Sequence, residues 1–373
     1  MPPKPVSQDQ LQAALDAITK YGSPYLASKE VPVDPSTLRD RKNLAERKGL
    51  KPSKDITPYQ AGDSSVMYGP NGEIKLQWIK RKGGESELKQ ALHDIFHSFK
   101  EKLPRVKPTP KHLKKIEKDV ISVIPWGDPH FGLLCDPLET GEAWDLEIAE
   151  RTLVEAVQYL ITKATASERL VLINLGDFFH ADSNRAETYN GTRLDVDSRL
   201  HRVIRAGVRA VRTCITEGLK KFNTVEFITV QGNHDDTMAQ FFAEALDAVY
   251  DQEPRVTIHS QPTRRKYLQF GKVLIGAVHG DKQNENKLAG IMATEQAERW
   301  GQTTHRVFFK GHLHHDKITE YNGMKVEMVR TLAPNDEYAT SGGWLSKADM
   351  KMIVYHNKFG EIERHTCPRE MLL

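Results

Sequence analysis

The hydrophobic and polar positions follow two different patterns, and the change comes near Asp119. From that residue onward, short apolar runs typical of buried strands recur along the chain. They occupy residues 120–126, 169–175, 224–230, 272–278 and 306–310. Between them, residues 145–164 and 197–221 repeat apolar side chains with the period of a helix. Strands that alternate with helices in this way predict an α/β body.

The first fifty residues carry helical patterns only. Ser7 and Gln10 have the spacing of a capping box, and a stripe of apolar side chains follows them. A short helix is predicted over residues 23–30. A third is predicted from residue 35, capped by Asp34 or Ser36 and ended by Gly49. Three short helices joined by tight turns predict a helix-turn-helix segment over residues 1–54.

Residues 55–118 connect these two parts. Residues 65–80 read as a hairpin around Gly-Pro-Asn-Gly, serving either as a DNA-contacting wing or as a brace. An amphipathic helix over residues 85–103 and a proline- and lysine-rich linker follow. The predicted domains are therefore 1–54, 55–118 and 119–373.

Charge and cysteine content narrow the class of protein. Residues 1–118 contain 23 Lys and Arg against 14 Asp and Glu, a net charge of +9, whereas the remainder carries −6. This split predicts a polyanion-binding arm, although a solvated basic linker gives part of the same signal. The chain has only three cysteines, no signal-peptide pattern and no run of eighteen apolar residues. We therefore expect a cytoplasmic protein without disulfides or a membrane span.

Each of the five apolar runs ends in residues that commonly bind metals, which is where open α/β sheets place their chemistry. The candidate ligands are Asp128, His130, Asp177, Asn233, His279, His312 and His314. Residues i and i+2 of an extended segment project to the same side, so Asp128 with His130, and His312 with His314, can each address one small volume. The pattern predicts one shared metal site, with His315 facing elsewhere.

Five motifs occur in order: Asp-x-His, Gly-Asp, Gly-Asn-His-Asp, His-Gly and Gly-His-x-His. Over residues 119–335 they resemble the calcineurin-like metallophosphoesterases. The resemblance implies a β-sandwich of mixed sheets flanked by helices. It also implies two divalent metal ions that share Asp177. One would be held by Asp128, His130, Asp177 and His314, and the other by Asp177, Asn233, His279 and His312. In that family's roles, His234 protonates the leaving group, and Asp235 orients His234.

The ligand types suit the same chemistry. Carboxylate, amide oxygen and imidazole favour manganese, with iron, zinc or nickel as alternatives, over calcium or magnesium. Two such ions about 3.5–4 Å apart stabilise both the attacking and the leaving oxygen at phosphorus, and lower the pKa of bound water to about 7. The prediction is a hydrolase of phosphate esters. The opposing interpretation is a degenerate relative that keeps these residues for stability alone.

The substrate class is inferred from the residues around the candidate ligands. GDFFH and GNHDD resemble the DNA double-strand-break repair nucleases more than the protein phosphatases, although Gly-Asp after His279 departs from the nuclease pattern His-Gly-His. His180 would contact a phosphate in the cleft or support the site structurally. Arg185 and Arg193 would line a groove for a nucleic-acid backbone or merely flank the next helix.

The third helix would place Arg39, Arg41 and Lys42 in a DNA major groove, since residues 22–41 resemble the homeodomain-like helix-turn-helix of transposases and phage proteins. A solvated charged helix is the alternative. A helix-turn-helix joined to a metallophosphoesterase also resembles bacteriophage and prophage proteins, which act in the host cytoplasm.

The leading hypothesis is a two-metal phosphodiesterase acting on nucleic acid, with DNA favoured. One alternative is a phosphatase or phosphodiesterase for phosphoproteins, cyclic nucleotides or small phosphoesters. The other is a DNA-binding regulator with a non-catalytic platform. The choice between DNA and RNA, endo or exo action, and the oligomeric state stay open.

Overall fold

The computed structural model describes residues 6–21, 23–53, 64–68, 74–79, 117–165, 167–188, 191–335, 342–343 and 346–372. The chain divides into two compact units, Met1–Leu88 and Lys89–Leu373. The boundaries expected after residues 54 and 118 stay predictions. Among the described residues, no helix combines the length and the apolar character that crossing a bilayer requires.

Three helices form the described start of the first unit: α1 (Gln8–Tyr21), α2 (Pro24–Ser28) and α3 (Pro35–Arg47). The capping box at α1 is confirmed, because the Ser7 amide donates to Gln10 Oε1 at 3.1 Å and the Gln10 amide donates to Ser7 Oγ at 3.3 Å. Asp34 rather than Ser36 caps α3, accepting from the Thr37 amide at 2.9 Å. Buried apolar side chains from all three helices pack together: Ala14, Ala17, Ile18, Ala27 and Leu38.

The two strands of the predicted hairpin are also present, whereas its turn lies outside the described residues. Strands β1 (Ser64–Tyr68) and β2 (Ile74–Ile79) pair antiparallel. Its service as a wing or as a brace stays a prediction. The helix predicted over residues 85–103 and the basic linker after it lie outside the described residues.

Two mixed sheets build the second unit. The six-stranded sheet has the order β13-β12-β3-β4-β5-β6. Its strands are β3 (Glu117–Trp126), β4 (Ser167–Asn174), β5 (Thr224–Thr229), β6 (Val256–His259), β12 (Asp349–His356) and β13 (Gly360–Pro368). The five-stranded sheet has the order β10-β11-β9-β8-β7. Its strands are β7 (Lys266–Phe270), β8 (Val273–Val278), β9 (His305–Lys310), β10 (Lys317–Tyr321) and β11 (Met324–Met328).

The two sheets pack face to face because alternate side chains of their strands are apolar. One buried cluster joins Val123 and Val171 of the six-stranded sheet to Ile275 and Phe309 of the five-stranded sheet. Helices flank this sandwich: α4 (Pro137–Thr140), α5 (Leu146–Lys163), α6 (Leu200–Lys221), α7 (Asp236–Tyr250), α8 (Glu285–Glu295) and α9 (Ala297–Gln302). Helices α5 and α6 contact the six-stranded sheet, whereas α8 contacts the five-stranded sheet. The predicted fold class, a β-sandwich of mixed sheets flanked by helices, is confirmed.

The five predicted strands of the body are β3, β4, β5, β8 and β9, and all five agree with the apolar runs to within a few residues. The helix predicted from residue 197 begins instead at Leu200. Asp197 is held outside the helix, since its carboxylate accepts from the Leu146 amide at 3.0 Å and its own amide donates to the Gly132 carbonyl at 3.0 Å.

Candidate metal centre

The predicted ligands meet at one end of the sandwich. Strands β3, β4 and β5 are parallel, and so are β8 and β9, so their carboxyl ends point the same way within each sheet. The residues after these ends come together across the two sheets: the imidazole of His279 lies 3.4 Å from Asp128 Oδ1 and 3.1 Å from Asp177 Oδ2. Convergence of residues separated by nearly two hundred positions is therefore observed.

The seven side chains lie in two neighbouring groups. In one, His314 Nε2 lies 3.3 Å from His130 Nε2 and 3.4 Å from Asp128 Oδ2. In the other, His279 Nε2 lies 2.9 Å from Asn233 Oδ1. The ligand atoms of Asp177, His279 and His312 all fall within 4.8 Å of one another. The ligand-type atoms of His130, His180 and His234 also fall within that distance of one another, and only His130 of these three is a predicted ligand. The assignment of the seven residues to two metal ions stays a prediction.

Backbone strain is concentrated at the same residues. Among the described residues, six that are not glycine have positive φ, and five of them are predicted ligands. They are Asp128 (43°), His130 (46°), Asp177 (49°), His312 (75°) and His314 (57°). Left-handed conformations cost a non-glycine residue about 1–3 kcal/mol and persist where surrounding structure enforces them, commonly at functional sites. The loops are therefore held in geometries that bring their side chains together.

Two glycines let backbone approach the carboxylates. A Cβ on Gly232 would lie 1.9 Å from Asp177 Oδ1, and one on Gly311 would lie 2.8 Å from Asp128 Oδ1. Because of this approach, the His234 amide donates to Asp177 Oδ1 at 2.8 Å and the His312 amide donates to Asp128 Oδ2 at 2.8 Å. Any side chain at either glycine would displace a predicted ligand.

Burial sets the protonation of the site. Desolvation raises the pKa of Asp128 to about 8, against the opposing influence of His279. Burial alone would lower the pKa of His279, but the Asp177 carboxylate overrides it and raises that pKa to about 10. Burial likewise opposes ionisation of Asp177, yet its contacts with His279 hold its pKa below the usual range. Negative charge is thus confined in a buried volume beside His279. This histidine would have to release its proton to bind a metal.

The donor atoms fit divalent metal ions. Asp128 Oδ1 is buried and has no hydrogen-bond partner in the described ranges of the chain, as expected of an atom that is available to a ligand. His279 Nδ1 lies 2.9 Å from the Leu175 carbonyl, which accepts its proton and leaves Nε2 facing the site. Two carboxylates, one amide oxygen and four imidazoles form a donor set suited to borderline ions such as Mn²⁺, Fe²⁺ or Zn²⁺.

The structure does not show the expected contact of Asp235 with the His234 ring. Its carboxylate accepts from the backbone amides of four residues instead of orienting the His234 ring. These are Asp177 (3.1 Å), Phe178 (2.8 Å), Phe179 (3.2 Å) and Gly232 (3.0 Å). Asp235 therefore fastens the loop after β4 to the loop after β5. The His234 ring is oriented by the carbonyl oxygen of His180, which lies 2.8 Å from His234 Nδ1.

The predicted substrate-binding residues differ in position. His180 is 2 % exposed, and its Nδ1 lies 3.3 Å from His130 Nδ1, so the structure favours the supporting role over direct phosphate contact. Burial lowers its pKa to about 3. Arg185 and Arg193 are exposed on the loop after β4, where Arg185 lies 3.5 Å from Glu187. Their contact with nucleic acid stays a prediction.

The candidate DNA-binding residues all lie on α3. Arg39 is exposed, whereas Arg41 and Lys42 are half-buried. Lys42 also forms an i,i+4 ion pair with Glu46 at 3.3 Å. Arg39 is therefore the most accessible of the three.

Two hydroxyl groups near the site were missed by sequence reasoning. Thr331 Oγ1 donates to the Asp128 carbonyl at 2.7 Å, and Ser346 Oγ donates to the His314 carbonyl at 2.7 Å. Both brace a strained ligand residue from the segment that follows β11. Sequence patterns could not reveal this role, because each hydroxyl residue is isolated and lies far along the chain from the ligand residue that it contacts.

No protein-family model and no curated protein matches the chain. Solved structures with a similar fold include an uncharacterized Streptococcus pneumoniae protein described as a predicted phosphoesterase (11% identity, TM-score 0.30, covering 67% of this chain and 91% of that one). They also include an archaeal phosphodiesterase (12%, TM-score 0.33, 67% and 99%) and zinc-bound Vps29 from Entamoeba histolytica (10%, TM-score 0.28, 67% and 98%).

Proposed function

We propose that the chain is a two-metal phosphoesterase that hydrolyses phosphodiester bonds in nucleic acid. The observation that carries the proposal is the convergence of seven oxygen and nitrogen donors, five of them on residues with positive φ. They surround a buried carboxylate oxygen that has no hydrogen-bond partner among the described residues. When bound there, two divalent cations supply Lewis-acid activation of water and neutralise charge on phosphate oxygens. Asp128, His130, Asp177 and His314 would hold one, and Asp177, Asn233, His279 and His312 the other, with manganese favoured.

His234 is the group of the chain proposed to move a proton. Because its Nδ1 donates to the His180 carbonyl, its Nε2 is the atom left to face the site, 4.0 Å from Asp177 Oδ2. The side chain is 15% exposed, which allows contact with a substrate at the surface of the site. In the proposed reaction, protonated His234 gives the Nε2 proton to the departing oxygen, which leaves as an alcohol.

Asp235 acts through other groups. By accepting four backbone amides it fixes the peptide planes on both sides of Asp177 and the plane that ends at Gly232, two residues before His234. His180 contributes in the same way, since its carbonyl fixes the tautomer of His234 and its ring packs against His130. Both are positioning residues in this scheme.

Nucleic acid is favoured as the substrate because the chain joins this centre to a basic N-terminal part. Residues 1–118 carry a net charge of +9, and α3 presents Arg39 beside Arg41 and Lys42. A basic helix that follows a tight turn is the arrangement by which helix-turn-helix proteins approach duplex DNA. We propose that this unit delivers the metal centre to DNA.

A substrate panel tests the proposal. Purified protein with Mn²⁺ is offered single- and double-stranded DNA and RNA, bis(4-nitrophenyl) phosphate and 4-nitrophenyl phosphate. Cleavage of at least one nucleic acid and of the aryl diester is expected. Hydrolysis of the aryl monoester alone would show a phosphatase and contradict the proposal.

The proposed binding of α3 to DNA can be tested separately from catalysis. Arg39→Gln should weaken binding to duplex DNA and flatten its salt dependence by about one unit per lost phosphate contact. Turnover of bis(4-nitrophenyl) phosphate should not change. Lys20→Gln, at the end of α1, removes the same charge from another helix of the unit and should bind DNA like the unaltered protein.

A further inference from the structure

A groove of about 620 Å³ lies where the chain passes from the six-stranded to the five-stranded sheet. One wall is the connection between β6 and β7, and the other is formed by Glu295, Gln296 and Arg299 around the end of α8. Arg264, Arg265 and Lys266 project from the first wall. None of these residues belongs to the metal centre.

The groove lies at the same end of the sandwich as the metal centre. Strand β6 runs parallel to β5 and ends at His259, whereas β7 runs antiparallel to β8 and begins at Lys266. The connection between them is therefore level with the ligand-bearing loops. Arg264 also forms an ion pair with Asp236, which follows His234 by two residues at the start of α7.

Positive charge exceeds negative charge along this groove. Four cationic side chains, those of Arg264, Arg265, Lys266 and Arg299, line it together with a single carboxylate, Glu295. Arg265 already donates to Glu295 at 3.0 Å and Arg264 is paired with Asp236, so the excess positive charge is that of Lys266 and Arg299. Arg299 is exposed and forms no ion pair with any residue that the structure describes.

One of the cationic side chains of the groove, Lys266, is buried rather than exposed to solvent. It is 6% exposed, and its Nζ donates to the Gln261 carbonyl rather than to a carboxylate. Burial lowers its pKa to about 8, with Glu244 opposing the shift. Lys266 forms no ion pair within the part of the chain that the structure describes, although the charge of Glu244 acts on it from a distance. A desolvated cation in such surroundings is unfavourable in the free protein and favours an anionic ligand.

We propose that this groove binds backbone phosphates of a nucleic-acid strand beside the bond that the metal centre cleaves. The inference rests on the proposed function and adds the path of the strand, from His234 past Arg264 toward Lys266 and Arg299. A small phosphoester would fill the metal centre without reaching the groove. The groove therefore distinguishes a polymeric substrate from a small one.

Equilibrium binding to the full chain tests this path. A fluorescein-labelled single strand of about twelve nucleotides is titrated in EDTA, so that no cleavage occurs and no duplex is offered to α3. Arg264→Gln/Arg299→Gln should raise Kd about tenfold and reduce the slope of log K against log salt by about 1.4, since each lost contact removes about 0.7 for a single strand. The matched control is Arg151→Gln/Arg209→Gln on α5 and α6. It removes the same charge and should leave both quantities unchanged.

Lys266 provides a second set of variants if the double variant unfolds. Lys266→Gln should weaken strand binding, and Lys266→Arg should restore most of it. In Mn²⁺, turnover of bis(4-nitrophenyl) phosphate should stay the same in every folded variant. Loss of that turnover in the groove variants would show that the groove acts on the metal centre, which overturns the inference.

Two negative results are distinguishable. If the unaltered protein cleaves nucleic acid, and the groove variants bind and cleave it as the control does, the groove inference is wrong while the proposed function stands. If the unaltered protein hydrolyses the aryl diester but neither binds nor cleaves any nucleic acid, the proposed substrate class fails, and the groove inference fails with it.

Discussion

The interior of the strands and the loops at their carboxyl ends are both buried, but they bury opposite chemistry. In β4, Leu170, Val171, Leu172 and Ile173 are apolar and fully buried in a regular ladder. A few residues later, Asp177 is 2 % exposed with a φ of 49°. The strand contributes stability through apolar burial, whereas the loop holds a charged group in an unfavourable conformation.

The difference shows how the fold supports its site. Each strained ligand residue costs about 1–3 kcal/mol, an amount that the loops alone could not sustain. Apolar burial in the sandwich core supplies the free energy that offsets this strain. Asp235 holds the loops in place because its carboxylate accepts hydrogen bonds from four backbone amides. Substitutions in the strands should therefore change stability but not the chemistry of a folded molecule, whereas substitutions in the loops should also change metal binding or turnover.

The largest effect is expected from Asp177→Asn. Asp177 is the donor assigned to both metal sites, so its loss should lower bound metal from about two ions per chain to less than one and reduce turnover about 10⁴-fold or more. Metal analysis after dialysis, together with hydrolysis of bis(4-nitrophenyl) phosphate, measures both. A variant that keeps two ions would contradict the bridging role.

His234→Asn should lose turnover without losing metal. Removing a positioned proton donor lowers the rate about 10²- to 10⁴-fold, and the loss should grow as the leaving group becomes more basic. Rates for a series of aryl diesters, with metal content measured alongside, test this. Equal losses for good and poor leaving groups would argue against proton donation by His234.

Ile173→Ala should lower stability and leave turnover nearly unchanged. The side chain is fully buried in the cluster between the sheets, so truncation should lower the free energy of unfolding by about 2–5 kcal/mol. Turnover per folded molecule should change little. Denaturant unfolding and kinetics at low temperature measure the two quantities; a large fall in turnover of the folded protein would show that core and site are not separable.

The smallest effects come from a matched pair of glycines. Gly232→Ala would force a methyl group to within 1.9 Å of Asp177 Oδ1, so it should lower stability by about 1–3 kcal/mol and weaken metal binding. Gly290 in α8 has no atom within 4 Å of an added Cβ. Gly290→Ala should therefore raise stability by about 0.5–1 kcal/mol. Thermal unfolding with and without Mn²⁺ compares them, and a stabilising Gly232→Ala would contradict the packing described.

The strands and the polar residues that meet beyond their ends could be predicted because both signals are local. Apolar runs such as residues 169–175 predict buried strands, and the polar residues directly after them mark the chemistry. The capping box at Ser7 and Gln10 is equally local, and it is confirmed. Periodicity and spacing were sufficient for these features.

Features that depend on backbone atoms or on distant pairs were not predictable in this way. The family resemblance implied that Asp235 orients His234, yet the partners of its carboxylate are backbone amides, which leave no mark in the sequence. The groove was missed because Arg264 and Arg265 lie in a short connection. Only the folded chain brings them opposite Arg299.

Anomalous diffraction from crystals soaked in Mn²⁺ tests the central claim most directly. We expect two peaks about 3.5–4 Å apart. Asp177 should contact both, with Asp128, His130 and His314 around one and Asn233, His279 and His312 around the other. A single peak, or two peaks that do not share Asp177, would contradict the assignment.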